Sequence, residues 1–329
     1  MTEIATLDPH DDRALRDWFA AEQASLWNDR PRAVTRTFGA LANGIRNPNP
    51  YVGRTLLAAR ENGVTVGVGE LELSLRDNLH LAQMAVHVVP GHRRRGIGRE
   101  IHAALDEMRR ADRRTTVAGE VFVTDEPDGK AGMAFAQALG FGSVHEEDHL
   151  VLPLPADADR TSALGGGDGY EVVTWRGRCP DEYAEAYCRM RTQMARDVPV
   201  GELAYEPPVI DVARLRTGEE RIARSYHQVV AAARRVADGE MGGYSVLFLA
   251  HDDHEVLQDD TLVMPGHRGR RLGTLLKLAT LGVLQREHPD RRAVHTWTAP
   301  QNHAMYAINL AFGYVAAERM HEVQRADPR

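Results

Sequence analysis

Apolar residues recur with two periods along this chain. Helical spacing runs through 11–24 and again through 99–110, where Ile101, Ala104, Leu105 and Met108 share one face. Between them, 55–59, 64–75 and 81–89 carry the composition of strands, the last ending at Pro90. Residues 116–123 read as a strand, 131–139 as a helix and 149–152 as a closing strand. The stretch 153–169 then replaces periodicity with Pro, Gly and small polar residues. A second series follows: a strand at 170–175, helices at 181–196 and 221–237, strands at 243–250 and 256–264, a helix at 274–287, a strand at 293–298 and a helix at 303–311. This order predicts an α/β (α+β) layered fold in two domains, 1–153 and 170–329, joined by a linker at 154–169.

The two series are copies of one another. VVPGHRRRGIG at 88–98 and VMPGHRGRRLG at 263–273 agree at seven of eleven positions, at an offset of 175, and LGF at 139–141 answers FGY at 312–314 at an offset of 173. Two landmarks of different composition with nearly the same separation indicate a duplicated domain. In each copy a strand ends at proline, an Arg- and Gly-rich turn follows, and a helix begins. A helix N-terminus has unpartnered N–H groups and a partial positive charge, glycines admit a ligand close to the backbone, and arginines attract it; the unit suits a phosphate. A Gly-Lys-Ser/Thr loop and a Gly-x-Gly-x-x-Gly fingerprint are both absent.

Composition narrows the classes. The 329 residues are 43% apolar and 26% charged, with no apolar run of membrane-spanning length. The N-terminal stretch lacks the basic start and apolar core of a secretory signal, so a cytoplasmic location is expected, with no membrane partner. A net charge of −7 argues against nucleic acid as a partner. Cys179 and Cys188 fit neither a zinc knuckle nor a Cys-x-x-Cys pair and read as ordinary reduced cysteines. The run His251–Glu255 has metal-ligand residue types, but Asp-Asp between two strands is also turn chemistry, and no metal is expected.

Arg-x-x-Gly-x-Gly, complete at Arg93, Gly96 and Gly98, resembles the pyrophosphate motif of the GNAT superfamily of N-acyltransferases, and the later helix ending in Gly-Phe or Gly-Tyr resembles its second cofactor motif. The layout is similar to that of tandem members such as mycothiol synthase, whose C-terminal half is catalytic. The resemblance implies two GNAT-like domains, each a mixed, mostly antiparallel sheet flanked by helices. It also implies acetyl-CoA or another acyl-CoA as cofactor, and transfer of the acyl group to a primary amine of a small molecule. Cofactor contacts are expected from Val88, Arg93, Arg94, Arg95, Gly96, Ile97, Gly98 and Arg99 in the first copy. In the second they are expected from Leu262, Val263, Arg268, Gly269, Arg270, Arg271, Leu272, Gly273, Thr274 and Asn302.

The copies depart from the family pattern differently. Where the family has Asn-x-x-Ala-x-x-Leu-Tyr, the first copy has Gly129, Gly132, Phe135 and Ala136. The second keeps Asn302, which is also a natural helix N-cap, but replaces Gly96 with Arg271. The second domain is therefore expected to be the catalytic one. Its family tyrosine position holds Asn309, with Tyr306 one turn earlier. Asp260 is the candidate base, with Asp259 or Glu255 as alternatives; strand alternation would put Asp260 with Leu262 and Met264 on one face and Asp259 on the other. The acceptor pocket is expected from the helices at 181–196 and 221–237 and the segment 194–203, where Asp197 and Glu202 would meet a cation. A non-catalytic acyl-CoA binder is the alternative reading.

Overall fold

The computed structural model describes residues 2–327 and divides the chain into two compact units. The first takes the chain through Glu147, together with Val200–Glu206 and the residues from Glu318 onward; the second is Asp148–Pro199 with Pro207–Ala317. In chain order the elements are β1 (Glu3–Thr6), α1 (Asp12–Trp27), α2 (Phe38–Arg46), β2 (Val52–Glu61), β3 (Val64–Ser74), β4 (Leu81–Val88), α3 (Ile97–Ala111), β5 (Thr116–Val123), α4 (Ala131–Ala138) and β6 (Gly142–Pro153). There follow α5 (Ala158–Ser162), β7 (Tyr170–Arg176), α6 (Asp181–Asp197), α7 (Val212–Ile222), β8 (Tyr226–Arg235), β9 (Met241–Ala250), β10 (Glu255–Val263), α8 (Leu272–Glu287), β11 (Ala293–Thr298), α9 (His303–Phe312) and β12 (Val315–Ala326).

In the first unit the strands run in the order β1-β2-β3-β4-β5-β12, followed by the first half of β6. All registered pairs there are antiparallel except β4 with β5. Alternation along β3 divides the core: Val68 packs with Leu15, Trp18 and Leu41 of α1 and α2, whereas the position of Gly69 lies against Ile101 and Leu105 of α3. Asp11 starts α1 by accepting a hydrogen bond from the Ala14 N–H at 3.0 Å.

The second unit runs from the second half of β6 through β11-β10-β9-β8-β7. One sheet face packs on α6 and α7 through Tyr187, Leu215, Val230 and Tyr244; the other carries α8 through Ala231, Ala233, Leu272 and Leu276. The segment 221–237, expected to be a helix, is instead strand β8. Val229–Ala233 are fully buried and hydrogen-bonded between β7 and β9, so burial on both faces overrides the helix propensity of an Ala-rich run.

The stretch 154–169 is packed rather than a free tether. Arg160 donates to the Leu310 carbonyl at 3.2 Å, Leu164 joins the core, and the Gly167 N–H donates to the Arg270 carbonyl at 2.9 Å. Gly167 has φ +86°, and a Cβ there would stand 2.3 Å from Leu275; the glycine run is what lets the chain lie on the turn before α8.

The C-terminal strand was not anticipated, and it completes the first unit. Positions 319–326 register antiparallel with 116–123 of β5, and Arg30 forms a buried bidentate pair with Glu318 at 2.6 and 2.7 Å. A fragment ending at residue 153 would leave β5 with an unpaired edge and Arg30 buried without its counter-ion. That fragment is expected to lack a cooperative thermal transition; near-UV circular dichroism showing native-like unfolding of it would contradict this.

Candidate functional site

Parallel strands β4 and β5 register only at Leu81–Thr116, Ala82–Val117 and Gln83–Ala118. Beyond those pairs they separate, and Met84–Val88 and Ala118–Phe122 line a cavity of about 540 Å³. On the α3 face its wall includes the turn from His92 to Arg99, with His102, Phe135 and Ala136. On the α1 face it is bordered by Ser25, Leu26, Asp29 and Arg30. The cavity therefore passes between the strands from one side of the sheet to the other.

The turn is built to meet an anion. Arg94 and Gly96 adopt positive φ, +64° and +91°, and the N–H groups of Arg94 through Gly98 have no acceptor among the described residues. The N-terminus of α3 adds its dipole. Arg93 braces the turn: it donates to Asp29 at 2.7 Å, to the Ser25 carbonyl at 3.2 Å and to the Val88 carbonyl at 3.3 Å. Arg95 is engaged with His92 and Glu61. Arg94 and Arg99 are exposed, and among the described residues neither has a partner.

In the second unit β10 and β11 also register in parallel over three pairs, Glu255–Ala293 to Leu257–His295, and the small gap beside Gln258, Lys277, Phe312 and Tyr314 holds only about 10 Å³. The offsets of 175 and 173 put Lys277 at the place of His102 and Asn309 at the place of Ala136. Lys277 donates to Asn309 Oδ1 at 2.7 Å, and Asn309 Nδ2 donates to Thr298 at 2.9 Å. This buried chain, with Phe312 and Tyr314 beside it, fills the position that small residues leave open in the first unit.

The Acetyltransferase (GNAT) family profile matches residues 13–141. Those residues are a GNAT acetyltransferase domain. The whole chain is similar to a solved tandem GNAT protein from the clavulanic acid biosynthesis pathway: 28% identity, 100% of this chain and 99% of that one covered, TM-score 0.85. A GCN5-related N-acetyltransferase from Sphaerobacter thermophilus has the same fold at 13% identity, with 99% and 96% covered and a TM-score of 0.70. So does N-myristoyltransferase of Saccharomyces cerevisiae with bound myristoyl-CoA, at 10% identity, 99% and 79% covered, and a TM-score of 0.62. No curated protein matches in sequence. The chain thus consists of two GNAT-like domains, and the profile match together with the tandem GNAT neighbour supports acyl transfer. No helix among the described residues is long and apolar enough to cross a membrane.

The expected residues of the second GNAT-like domain are engaged in internal contacts. Asp260 accepts from the Tyr244 hydroxyl at 2.7 Å and lies 3.4 Å from Arg191. Asp259 does not point to the opposite side: a β-bulge between Gln258 and Thr261 breaks the alternation, and Asp259 also reaches Arg191, at 4.0 Å. Burial and the neighbouring Asp260 push the Asp259 carboxyl up to about 7. Tyr306 donates to Asp148 at 3.0 Å, and Asn302 caps α9 by accepting from the Met305 N–H at 3.3 Å. Both amide ends of Asn309 are used, as above. Arg268 pairs with Asp197 at 2.6 Å, and Arg270 turns back to the Gly266 carbonyl. Arg271 takes the left-handed conformation of Gly96, at φ +57°. Leu262 and Leu272 are core, Val263 packs beside Leu272, Gly273 lies against Ile308, and Gly269 and Thr274 flank the same turn. Glu202 is exposed on the 200–206 segment and belongs to the first unit. With 221–237 a strand, the acceptor pocket expected from that helix has no such wall. Cys188 is buried in the α6 core.

In the first domain Val88 and Ile97 line the cavity with the turn, as do His87 and Glu120, which sequence reasoning did not single out. Burial, reinforced by Arg36, pushes His87 down to about 4, so its ring is neutral. Desolvation by the surrounding protein raises the Glu120 carboxyl, which still meets solvent in the cavity; Arg30 opposes the shift and Glu72 adds to it. Neither residue carries a sequence signal, because both belong to ordinary strands whose neighbours happen to diverge.

Lys277 offers a test of the filled space. Burial pushes its amine down to about 7 from 10.5; the Tyr314 ring, 4.9 Å from Nζ, offsets part of that cost. Below pH 7 both folded and unfolded states hold the proton and the folded state bears the whole penalty. Between about 7 and 10.5 only the unfolded state holds it, so stability rises with pH by up to about 1.4 kcal/mol per unit. Lys277→Met should flatten that rise between pH 7 and 9 in urea unfolding. Parallel profiles for the variant and the parent would show that the amine is not desolvated.

Proposed function

We propose that this protein is an N-acetyltransferase that takes an acetyl group from acetyl-CoA, bound in the first domain, and transfers it to a primary amine of a small molecule. The observation carrying this reading is the through-sheet cavity at the β4–β5 separation, with the anion-binding turn on one side. The residues present fit an acyl-CoA. Free N–H groups of Arg94 through Gly98 and the guanidinium groups of Arg94 and Arg99 suit a pyrophosphate. The unpaired edges of β4 and β5 offer backbone partners to amides, and Gly119, Gly129, Gly132 and Ala136 leave the room. Bound there, the cofactor supplies an activated thioester.

The acceptor approaches from the α1 face. Its ammonium, with an ordinary pKa of ~10, must lose a proton before the nitrogen can attack. Glu120 lines the cavity and is the candidate to take that proton, directly or through water. The nitrogen then forms its bond to the thioester carbon as the carbon–sulfur bond breaks, and it loses its second proton through solvent while the thiolate takes one up. This assigns transfer to the first domain, the reverse of the expectation drawn from its lost Asn and Tyr. What that expectation counted as losses are small residues that keep the cleft open.

Calorimetry should find one acetyl-CoA per chain. A Cβ at position 98 would stand 3.2 Å from the Phe135 ring, so Gly98→Val should weaken binding by about tenfold or more with little change in melting temperature. Undiminished binding in that variant would place the cofactor elsewhere. Loss of turnover in Asp260→Asn with acetyl-CoA binding retained would instead assign the chemistry to the second domain.

A further inference from the structure

Beyond Glu120 the first domain gathers more negative charge than it neutralises. Glu120 on β5 stands directly opposite Glu322 on β12. Glu147, on the first half of β6, joins them: Glu120 and Glu147 each act on Glu322, and Glu120 acts on Glu147. Partial burial leads the upward shift of Glu147 and Glu322, and the Glu147 carboxyl is pushed up to about 7. Among the described residues, no Arg or Lys forms an ion pair with any of them. The one Arg that acts on Glu120, Arg30, is itself paired with Glu318 at 2.6 Å.

A second feature marks the cluster as unfinished. His145, only 5% exposed, makes no hydrogen bond through either ring nitrogen. Its Nε2 is 3.6 Å from Glu147 Oε1, outside hydrogen-bond range. Glu322 Oε2 is likewise buried without a partner. Buried polar atoms are rarely left so, and here both a ring nitrogen and a carboxylate oxygen face one group of acids. Among the described residues no set of His, Cys, Asp and Glu is arranged to hold a metal ion. The ligand these groups suit is an organic cation that brings several N–H donors.

We propose that the acceptor is a diamine or polyamine: one nitrogen reacts at Glu120, and a second ammonium is held by Glu147 and Glu322, with His145 accepting from it. The proposal rests on the first domain being the transfer site. The reacting ammonium gives one proton to a carboxylate, its nitrogen attacks the thioester carbon and forms the amide bond as the carbon–sulfur bond breaks, and the nitrogen's second proton goes to the departing thiolate; the second ammonium is unchanged. Glu120 on the cavity wall, with Glu322 opposite it on β12, and the anion-attracting turn on the α3 side offer the two substrates opposite charges.

The test compares 1,4-diaminobutane and spermidine with n-butylamine, by calorimetric binding to the CoA-saturated protein and by thiol release from acetyl-CoA. A charge-assisted hydrogen bond to the second ammonium should make the diamine bind at least about tenfold tighter than butylamine. Glu322→Gln and Glu147→Gln, which keep size and relieve repulsion, should each erase most of that preference, read as the ratio of diamine to butylamine affinity in the same variant. Equal binding of diamine and monoamine, or a preference untouched by both variants, would overturn the proposal. Diamine binding with that variant pattern but without thiol release would uphold the cation site and defeat the transfer reading instead.

Discussion

Everything at the proposed site depends on how briefly β4 and β5 stay together. Three registered pairs hold them, and beyond Gln83 and Ala118 each strand presents a row of backbone groups with no strand opposite. Such an opening must be filled by side chains, water or a ligand. The second domain has the same three-pair parallel contact and fills it from within, by Lys277, Asn309 and Thr298. The first places His102 and Ala136 at the positions of Lys277 and Asn309 and keeps a cavity of about 540 Å³. One topological constraint therefore has two outcomes in one chain, and the volume of a few side chains decides between them.

The first domain is not made from the first part of the chain alone. Residues 318–326 pair with β5, and they bring Glu318, which neutralises Arg30, and Glu322, which stands opposite Glu120. The 200–206 segment belongs to the same unit: the Glu202 N–H donates to the Val144 carbonyl at 3.0 Å, and Asn78 exchanges hydrogen bonds with Glu206. The acid cluster and the strand carrying His145 are thus assembled from segments far apart in sequence, so the chemistry of the α1 side depends on the last residues of the chain.

The fold class, the duplication and both turns could be read from residue patterns, because each rests on local periodicity or on a short motif with a backbone reason. The errors came where local and tertiary preferences conflict. An Ala-rich run at 221–237 satisfies helix propensity, yet its burial on both faces makes it β8. Asp259 and Asp260 satisfy strand alternation, yet a bulge turns both towards Arg191. Glu120, Glu147, Glu322 and His145 were not legible at all. They sit on three strands, and their proximity is a product of register rather than of spacing.

Motif comparison judged the two copies by the residues they retain. Asn302 and Asn309 preserve polar character in the second copy, and Gly129 and Ala136 look like losses in the first. A cleft, however, is defined by side chains that are absent. The Asn302 oxygen is spent on the N-terminus of α9, and Asn309 is held at both ends of its amide between Lys277 and Thr298. Gly129 and Ala136 contribute nothing but room, and a ligand that takes its hydrogen bonds from strand edges and turn amides needs room more than side chains. For a fold whose binding surface is mostly backbone, the copy that has drifted towards small residues is the better candidate for the working site.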